Sequence, residues 1–374
     1  MTDELPQRLA VVGGGRMGAA IAQVFAAAGT TVTVFDPSAE SRDAVPARVA
    51  AACRLLGIDA SAVVGRVGTA DGVAAACAGA ELVIEAGPES LAVKREIFAE
   101  LDAVNPPGVT LATNTSAIPI GRIAAGLTHP QRVLGTHFWN PPYLIPLVEV
   151  VRAAGTGPAT VDATLRALAA AGLMPVPVDA DVPGFVGNRL QHALKREAIA
   201  LVAAGVCSAE TVDTVCRYGF GRRLPFLGPL EQADLGGLDL TLAIHEVLMP
   251  DLDATRSPQP LLVELVGRGD LGARTGRGFR SWRAGEAERR LAEVNALVLQ
   301  QGRLEGRQGG LAGQLGGFDG RQGGLDGRLG GLEGRPPGLD GRQGGLDGRP
   351  GGLEGRPPGL DGRPGGFDGR QGGG

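Results

Sequence analysis

A glycine-rich turn near the amino terminus constrains the fold of this chain more than any other feature. An apolar run at residues 8–12 precedes the turn at 13–18, a helical stretch follows at 17–28, and a second apolar run occupies 31–35. Strand, turn, helix and strand within about 30 residues predict a βαβ unit. Because such a crossover leaves its two strands parallel, the pattern predicts an α/β fold.

The glycines of this turn are typical of a dinucleotide site. In the G-x-G-x-x-G pattern, Gly13 allows the tight turn, Gly15 lets a pyrophosphate approach the backbone, and Gly18 lets helix and strand pack closely. The helix amino terminus offers free N–H groups to phosphates. Asp36 ends the second run, where a carboxylate accepts both ribose hydroxyls and repels a 2′-phosphate, so we expect NAD as cofactor. Alternatively, Asp36 only caps the turn before Pro37.

Further apolar runs extend the predicted sheet. They lie at residues 80–85, 109–113, 132–137, 146–151 and 174–178, with a helical segment at 160–171. We therefore predict a Rossmann-type doubly wound, mostly parallel sheet in an NAD-binding domain over residues 1–182. Helical patterns then predict a smaller all-helical domain over 183–285, for substrate or dimerisation, and a helical linker over 286–301.

The carboxyl-terminal part of the chain repeats a glycine-rich unit every seven residues from Gly302 onward. Each unit carries one apolar residue and usually two or three glycines, and Gly costs about 1 kcal/mol in a helix relative to Ala. This composition buries too little apolar surface to offset the entropy of ordering. We predict a disordered tail over 302–374 rather than a coiled coil, with its role left open.

Composition excludes several classes of function. The formal net charge of −4 gives no reason to expect a nucleic-acid partner. The four cysteines form no C-x-x-C pair and have no histidine cluster beside them, which favours reduced core residues and no metal site. The short polar stretch at residues 1–9 does not resemble a signal peptide, and no apolar run reaches about 18 residues. We expect a cytoplasmic protein with no membrane partner.

One histidine stands out as a candidate base for alcohol oxidation. His137 ends a predicted strand, and the carboxyl edge of an open α/β sheet is where ligands bind. Glu149 lies inside the apolar run LVEVV, where a buried carboxylate is costly unless it is paired. A carboxylate fixes the tautomer of a histidine and stabilises the imidazolium. The alternative places Glu149 on a solvated strand face.

Two further polar residues are candidates for binding the reacting oxygen. Ser116 follows the predicted strand VTLAT at the same sheet edge. Asn188 lies near the start of the helical domain, from which it could reach over the cleft. Taken singly, either residue also suits a cap or a surface position.

The motifs taken together resemble the 3-hydroxyacyl-CoA dehydrogenase family. The segments are VVGGGRMG, ELVIEAGPESLAVKREIF, ATNTSAIPI, GTHFWNPP, PLVEVV, VPGFVGNRL and GARTGRGF, within residues 8–282. The resemblance implies a His137–Glu149 dyad and substrate-oxygen contacts at Ser116 and Asn188. It also implies a homodimer and a place in fatty acid metabolism. Implied cofactor contacts are Gly13, Gly15, Gly18, Asp36, Glu89, Lys94 and Asn140, with Arg274 where the family has lysine.

The resemblance leaves the substrate open. Residues 40–79 are rich in Ala and Val and contain no lysine, whereas fatty-acid enzymes of the family use Ser and Lys contacts to CoA there. The central pattern also resembles relatives acting on small substrates, namely L-gulonate, carnitine or a pyridine-ring alcohol. The expected reaction is NAD-dependent oxidation of a 3-hydroxyacyl-CoA, or its reverse, with a small non-CoA hydroxy substrate as the alternative.

Two other readings compete with this one. A non-catalytic NAD-binding structural protein is disfavoured because His137, Glu149, Ser116 and Asn188 are all present. The 3-hydroxyisobutyrate or 6-phosphogluconate dehydrogenase group relies on a catalytic lysine, for which Lys195 is available. That reading is disfavoured because the group's Gly-rich substrate motif is missing.

Overall fold

A single eight-stranded sheet organises the part of the chain that carries the site. The computed structural model describes residues 5–312, with side chains described from 5 to 302. The strands are β1 (Arg8–Val12), β2 (Thr31–Phe35), β3 (Val67–Ala70), β4 (Leu82–Glu85), β5 (Thr110–Thr113), β6 (Val133–Phe138), β7 (Leu147–Val151) and β8 (Met174–Val178). Their order is β3-β2-β1-β4-β5-β6-β7-β8, and all neighbours are parallel except β6 and β7. The predicted mostly parallel sheet is confirmed.

Helices cover both faces of the sheet. They are α1 (Arg16–Ala28), α2 (Ala39–Asp43), α3 (Val45–Leu56), α4 (Ala60–Val64), α5 (Val73–Cys77), α6 (Leu91–Val104), α7 (Ile120–Ile123) and α8 (Pro158–Ala170). Alternate strand residues enter two buried clusters, one containing Phe25 of α1 and the other Phe98 of α6. The apolar runs of the central strands β1, β4 and β6 thus bury both strand faces, as a doubly wound sheet requires.

One strand, β3, was not predicted from the sequence. β3 is four residues long, contains Gly68, and buries only Val67, so it lacks the continuous apolar run of the central strands. It lies at the sheet edge beside β2, where one side of a strand has no neighbour. The segment from residue 40 to 79 also holds α2 to α5, of which α3 begins with Pro46 in its first turn.

The second part of the described chain is helical, as predicted. It contains α9 (Gly187–Ala203), α10 (Ala209–Tyr218), α11 (Pro229–Gly236), α12 (Leu238–Leu248) and α13 (Pro260–Gly267). Within these helices Leu265 is the buried residue, whereas many Leu and Val side chains are exposed. These helices therefore present apolar faces that no other part of residues 5–302 covers.

The last described helix, α14 (Glu286–Ala312), runs past residue 301, where we expected the linker to end. Between its glycines the segment carries Gln, Arg, Leu and Glu, which are good helix formers. The remainder of the predicted tail, residues 313–374, lies outside the described residues. Within the described part, no helix is long and apolar enough to cross a membrane.

Candidate active site

The predicted histidine and carboxylate lie side by side in the sheet. β6 and β7 run antiparallel, and their register sets His137 directly opposite Glu149. The His137 Nδ1 atom lies 2.8 Å from Glu149 Oε2. Both residues are buried, with 5% and 1% of their surfaces exposed. Glu149 therefore occupies the inner position that the sequence analysis favoured over a solvated strand face.

The second carboxylate oxygen of Glu149 binds the start of the helical part. Oε1 accepts hydrogen bonds from the backbone N–H groups of Val186, at 2.8 Å, and Gly187, at 3.0 Å. Burial by itself raises the pKa of Glu149, but the His137 hydrogen bond and the two backbone donors bring the pKa below its ordinary value. Glu149 is thus held as a carboxylate that joins β7 to α9.

Two aromatic rings flank the imidazole. The centroid of the His137 ring lies 5.6 Å from that of Trp139 and 5.7 Å from that of Phe185. Phe185 is fully buried and has a φ of 49°, a left-handed conformation that is strained for a residue with a side chain. A Cβ on Gly187 would come within 2.3 Å of Trp139 Cζ2, so only glycine lets the indole lie against this turn.

The glycine turn has the shape that a dinucleotide phosphate requires. Gly13 has a φ of +113°, and a Cβ there would lie 2.7 Å from the Ala86 carbonyl group. A Cβ on Gly18 would lie 1.7 Å from the Gly13 carbonyl oxygen, so helix and strand touch at that position. Gly15 has nothing within 4 Å of its added Cβ, which leaves open space above the helix terminus. These residues fit the NAD pyrophosphate.

Asp36 supports this turn directly. Its Oδ2 atom accepts a hydrogen bond from the Gly14 N–H at 2.8 Å, and Oδ1 accepts one from the Ser38 N–H at 2.9 Å. The second bond is the turn cap that the sequence analysis kept as an alternative. The carboxylate nevertheless stands at the carboxyl end of β2 beside the glycine turn, where the ribose of a dinucleotide lies in this fold.

Glu89 holds the segment that carries Ser116. One Glu89 oxygen accepts from Thr115 Oγ1 at 2.6 Å and from the backbone N–H groups of Ser116 and Ala117 at 3.0 and 3.1 Å. Ser116 in turn accepts, through its carbonyl oxygen, a hydrogen bond of 2.9 Å from Asn188 Nδ2. The loop after β5 is therefore fixed from one side by Glu89 and from the other by α9.

One open cavity of about 260 Å³ connects these groups. It is lined by Arg16, Met17, Asn114, Ser116, His137, Phe138, Trp139, Asn140 and Asn188. The glycine turn, the ends of β5 and β6 and the start of α9 thus meet at one place. A hydroxyl group bound there would find a buried histidine with a paired carboxylate and four neutral Asn and Ser side chains within one cavity.

Comparison with known proteins identifies the architecture. Residues 8–182 match a family model described as the 3-hydroxyacyl-CoA dehydrogenase NAD-binding domain. Residues 184–282 match the model of the C-terminal domain of the same family. The chain belongs to the 3-hydroxyacyl-CoA dehydrogenase family. It is an NAD-dependent oxidoreductase that acts on CH–OH groups.

Relatives within the 3-hydroxyacyl-CoA dehydrogenase family differ in substrate. The chain is 36% identical over 307 residues to a 5-formyl-3-hydroxy-2-methylpyridine 4-carboxylate 5-dehydrogenase of Mesorhizobium japonicum, covering 80% of this chain and 99% of that one. It is 38% identical over 281 residues to a probable 3-hydroxybutyryl-CoA dehydrogenase of Bacillus subtilis, covering 73% and 96%. A crystal structure of the pyridine-carboxylate type superposes with a TM-score of 0.75 at 32% identity, covering 80% and 98%.

Seven of the eight expected cofactor residues, Lys94 and Arg274 among them, do not line the cavity. The Lys94 ammonium is 1% exposed and lies 2.7 Å from Oε1 and 2.9 Å from Oε2 of Glu85, with Glu89 at 3.7 Å. Arg274 lies between α13 and α14 and is exposed. In contrast, Asn140 lines the cavity and precedes a cis peptide bond to Pro141.

A buried ionic network beneath the site was not predicted from the sequence. Glu85 is fully buried and accepts from Lys94, from Thr113 Oγ1 at 2.6 Å and from the Gly87 N–H at 2.6 Å. A signal existed, because Glu85 ends the apolar run ELVIE and Lys94 is one of only two lysines in the chain. The network braces the ends of β4 and β5, from which the residues around Ser116 extend.

Proposed function

We propose that this protein oxidises a secondary alcohol to a ketone, or catalyses the reverse reaction, with His137 as the base and Glu149 as its partner. The observation that carries the proposal is the 2.8 Å contact between these buried side chains, beside a cavity that also reaches the glycine turn. NAD, when bound, supplies the hydride acceptor.

The geometry supports a separate task for each ring nitrogen of His137. Nδ1 faces Glu149, which keeps the Nδ1 proton in place and stabilises the imidazolium. Nε2 is then left without a proton and accepts the one that the substrate hydroxyl releases. The aromatic rings of Trp139 and Phe185 limit water around the imidazole and fix its orientation.

The remaining residues bind rather than transfer protons. We propose that Ser116 and Asn188 hold the reacting oxygen, since both line the cavity with His137. The three glycines, Asp36, Glu89 and Asn140 are proposed to hold the cofactor. Lys94 acts on the cofactor side through Glu85 and Glu89 rather than by direct contact, because its ammonium is buried between them.

Two substrate classes follow from the relatives. The first is a 3-hydroxyacyl-CoA thioester, which would place the enzyme in fatty acid metabolism. The second is a compact hydroxy compound without CoA. The pyridine-carboxylate dehydrogenase is named for a compact substrate without CoA, and its structural counterpart superposes with a TM-score of 0.75. That observation favours the compact class.

A substrate panel tests the proposal. We expect NADH absorbance to appear when the enzyme and NAD meet a 3-hydroxy acid or its CoA ester, and kcat/KM to identify the class. The matched pair is 3-hydroxybutyrate with 3-hydroxybutyryl-CoA, and a pyridine alcohol bearing a carboxylate extends the set. If the protein binds NADH yet oxidises no member of the panel, the non-catalytic alternative gains support.

We also propose that the protein is a homodimer formed through the helical part. Side chains such as Val206, Phe226 and Leu230 expose 67%, 77% and 82% of their surfaces, which is unusual for a monomer. We expect light scattering to give twice the mass of one chain, and Leu230→Asp to shift the population toward monomer. Leu55→Asp, on α3 and outside this part, serves as the control. A wild-type monomer at micromolar concentration would contradict the proposal.

A further inference from the structure

One cationic side chain in the cavity has no structural partner. Arg16 begins α1 and lines the cavity together with Ser116, His137 and Asn188. Within residues 5–302, its guanidinium group makes no hydrogen bond or ion pair. No acidic side chain of the described residues lines this cavity. Arg16 is therefore the one permanent charge on the lining, and it is uncompensated.

Two neighbouring arginines show what a structural role looks like in this region. Arg42 donates to the Asp36 carbonyl oxygen at 2.6 Å, and Arg48 donates to the Gly14 carbonyl oxygen at 2.7 Å. Both guanidinium groups hold the backbone around the glycine turn. Arg16 belongs to the same turn but performs no such task, so its five donors are available to a ligand.

We propose that Arg16 binds a carboxylate of the substrate, and that the substrate is a compact hydroxy acid. This inference rests on the proposed function and names its substrate class. Guanidinium and carboxylate form paired, charge-assisted hydrogen bonds, which are stronger than hydrogen bonds between neutral groups. Because Arg16 and His137 line one cavity of about 260 Å³, an anion held by Arg16 would belong to the same small substrate as the reacting carbon.

The possible sources of the anion differ in how far the charged group lies from the reacting carbon. In an acyl-CoA the phosphates are separated from the hydroxyl-bearing carbon by the whole pantetheine chain, so they do not reach the same cavity. A carboxylate on a small hydroxy acid stands one or two carbons from the reacting carbon. The cofactor pyrophosphate is the remaining anionic group that could approach the turn, and the experiment must distinguish it.

Equilibrium ligand binding tests the inference without turnover. The full-length protein is used in the oligomeric state in which it is purified. NADH affinity is measured first by fluorescence. Acetoacetate, methyl acetoacetate and acetoacetyl-CoA are then titrated into the NADH complex of the wild type, Arg16→Gln and Arg16→Lys. Arg54→Gln, an exposed arginine on α3 outside the cavity, is the control for loss of one charge.

We expect Arg16→Gln to lower the affinity for acetoacetate about 10- to 100-fold, the range typical of a charged hydrogen bond. Methyl acetoacetate and NADH should change less than about twofold, since neither presents a carboxylate to this group. Arg16→Lys should recover part of the loss, because it keeps the charge without the planar fork. Arg54→Gln should bind all ligands as the wild type does.

Several results would overturn the inference. A parallel loss of NADH affinity in Arg16→Gln would assign the guanidinium to the cofactor pyrophosphate. If Arg16→Gln lost affinity equally for acetoacetate and for its methyl ester, Arg16 would not be binding a substrate carboxylate. The same conclusion would follow if the wild type bound acetoacetyl-CoA but not acetoacetate. Failure of the proposed function gives a different result: acetoacetate would bind through Arg16, yet no hydroxy acid would reduce NAD.

Discussion

His137→Gln is expected to lower kcat by about 10²- to 10⁴-fold, the range that a positioned general base contributes. Glutamine is close in size and polar, but it cannot accept the hydroxyl proton at neutral pH. The NADH dissociation constant should stay within about threefold, because His137 is proposed to contact the substrate hydroxyl rather than the cofactor. Stopped-flow turnover and NADH fluorescence measure the two quantities separately.

His245→Gln is the matched control, since His245 is an exposed histidine on α12 and does not line the cavity. We expect this variant to retain wild-type kcat. Near-normal turnover in His137→Gln would remove His137 from the proton transfer. Loss of NADH binding together with kcat would instead indicate that the substitution disturbs the sheet edge, and thermal melting of the variant would show it.

Glu149→Gln is expected to reduce kcat by about 10³- to 10⁴-fold with the fold intact. A glutamine oxygen can still accept the N–H groups of Val186 and Gly187, but its amide N–H group would face His137 Nδ1. The imidazole proton must then move to Nε2, where it blocks acceptance of the substrate proton. Glu81→Gln, which alters an exposed carboxylate that also accepts two backbone N–H groups, should leave kcat unchanged.

The same variant has a stability signature in pH. The pKa of Glu149 is lower in the folded protein than its ordinary value, so the ionised group stabilises the fold above that value. This stabilisation is lost as pH falls through the folded pKa. The difference in Tm between wild type and Glu149→Gln should therefore be largest near neutral pH and should shrink in acid. A difference that grows on acidification would contradict the assigned shift.

Most strands and the glycine turn were predictable because local chemistry dictates them. The residues of β1, β2 and β8 are those of the predicted runs, since each run is apolar or β-branched and ends at a turn signal. The start of α9 at Gly187 could not be predicted within the helical part, because Phe185, two residues earlier, adopts a left-handed backbone that no periodicity signals. β3 was not predicted because it is four residues long, contains Gly68 and buries only Val67, so no continuous apolar run marks it.

The residues of the site also divide into those that the sequence could predict and those that it could not. The pairing of His137 with Glu149 could be inferred from the cost of a buried charge, which demands a partner. The role of Glu85 could not be separated from ordinary strand termination until its contact with Lys94 was visible. Arg16 was read only as part of a glycine motif, because its access to the cavity depends on how α1 faces the end of β6.

Because β6 and β7 pair antiparallel, the loop between them, residues 139–146, sets the register on which the proposed catalytic pair depends. In the observed register His137 faces Glu149, while its flanking positions on β7 are Val148 and Val150. A slip of one residue would set an inert valine across from the imidazole and turn the acid toward the other side of the sheet. Evolution can therefore lengthen or shorten this loop freely only where the alignment of the two strands is preserved.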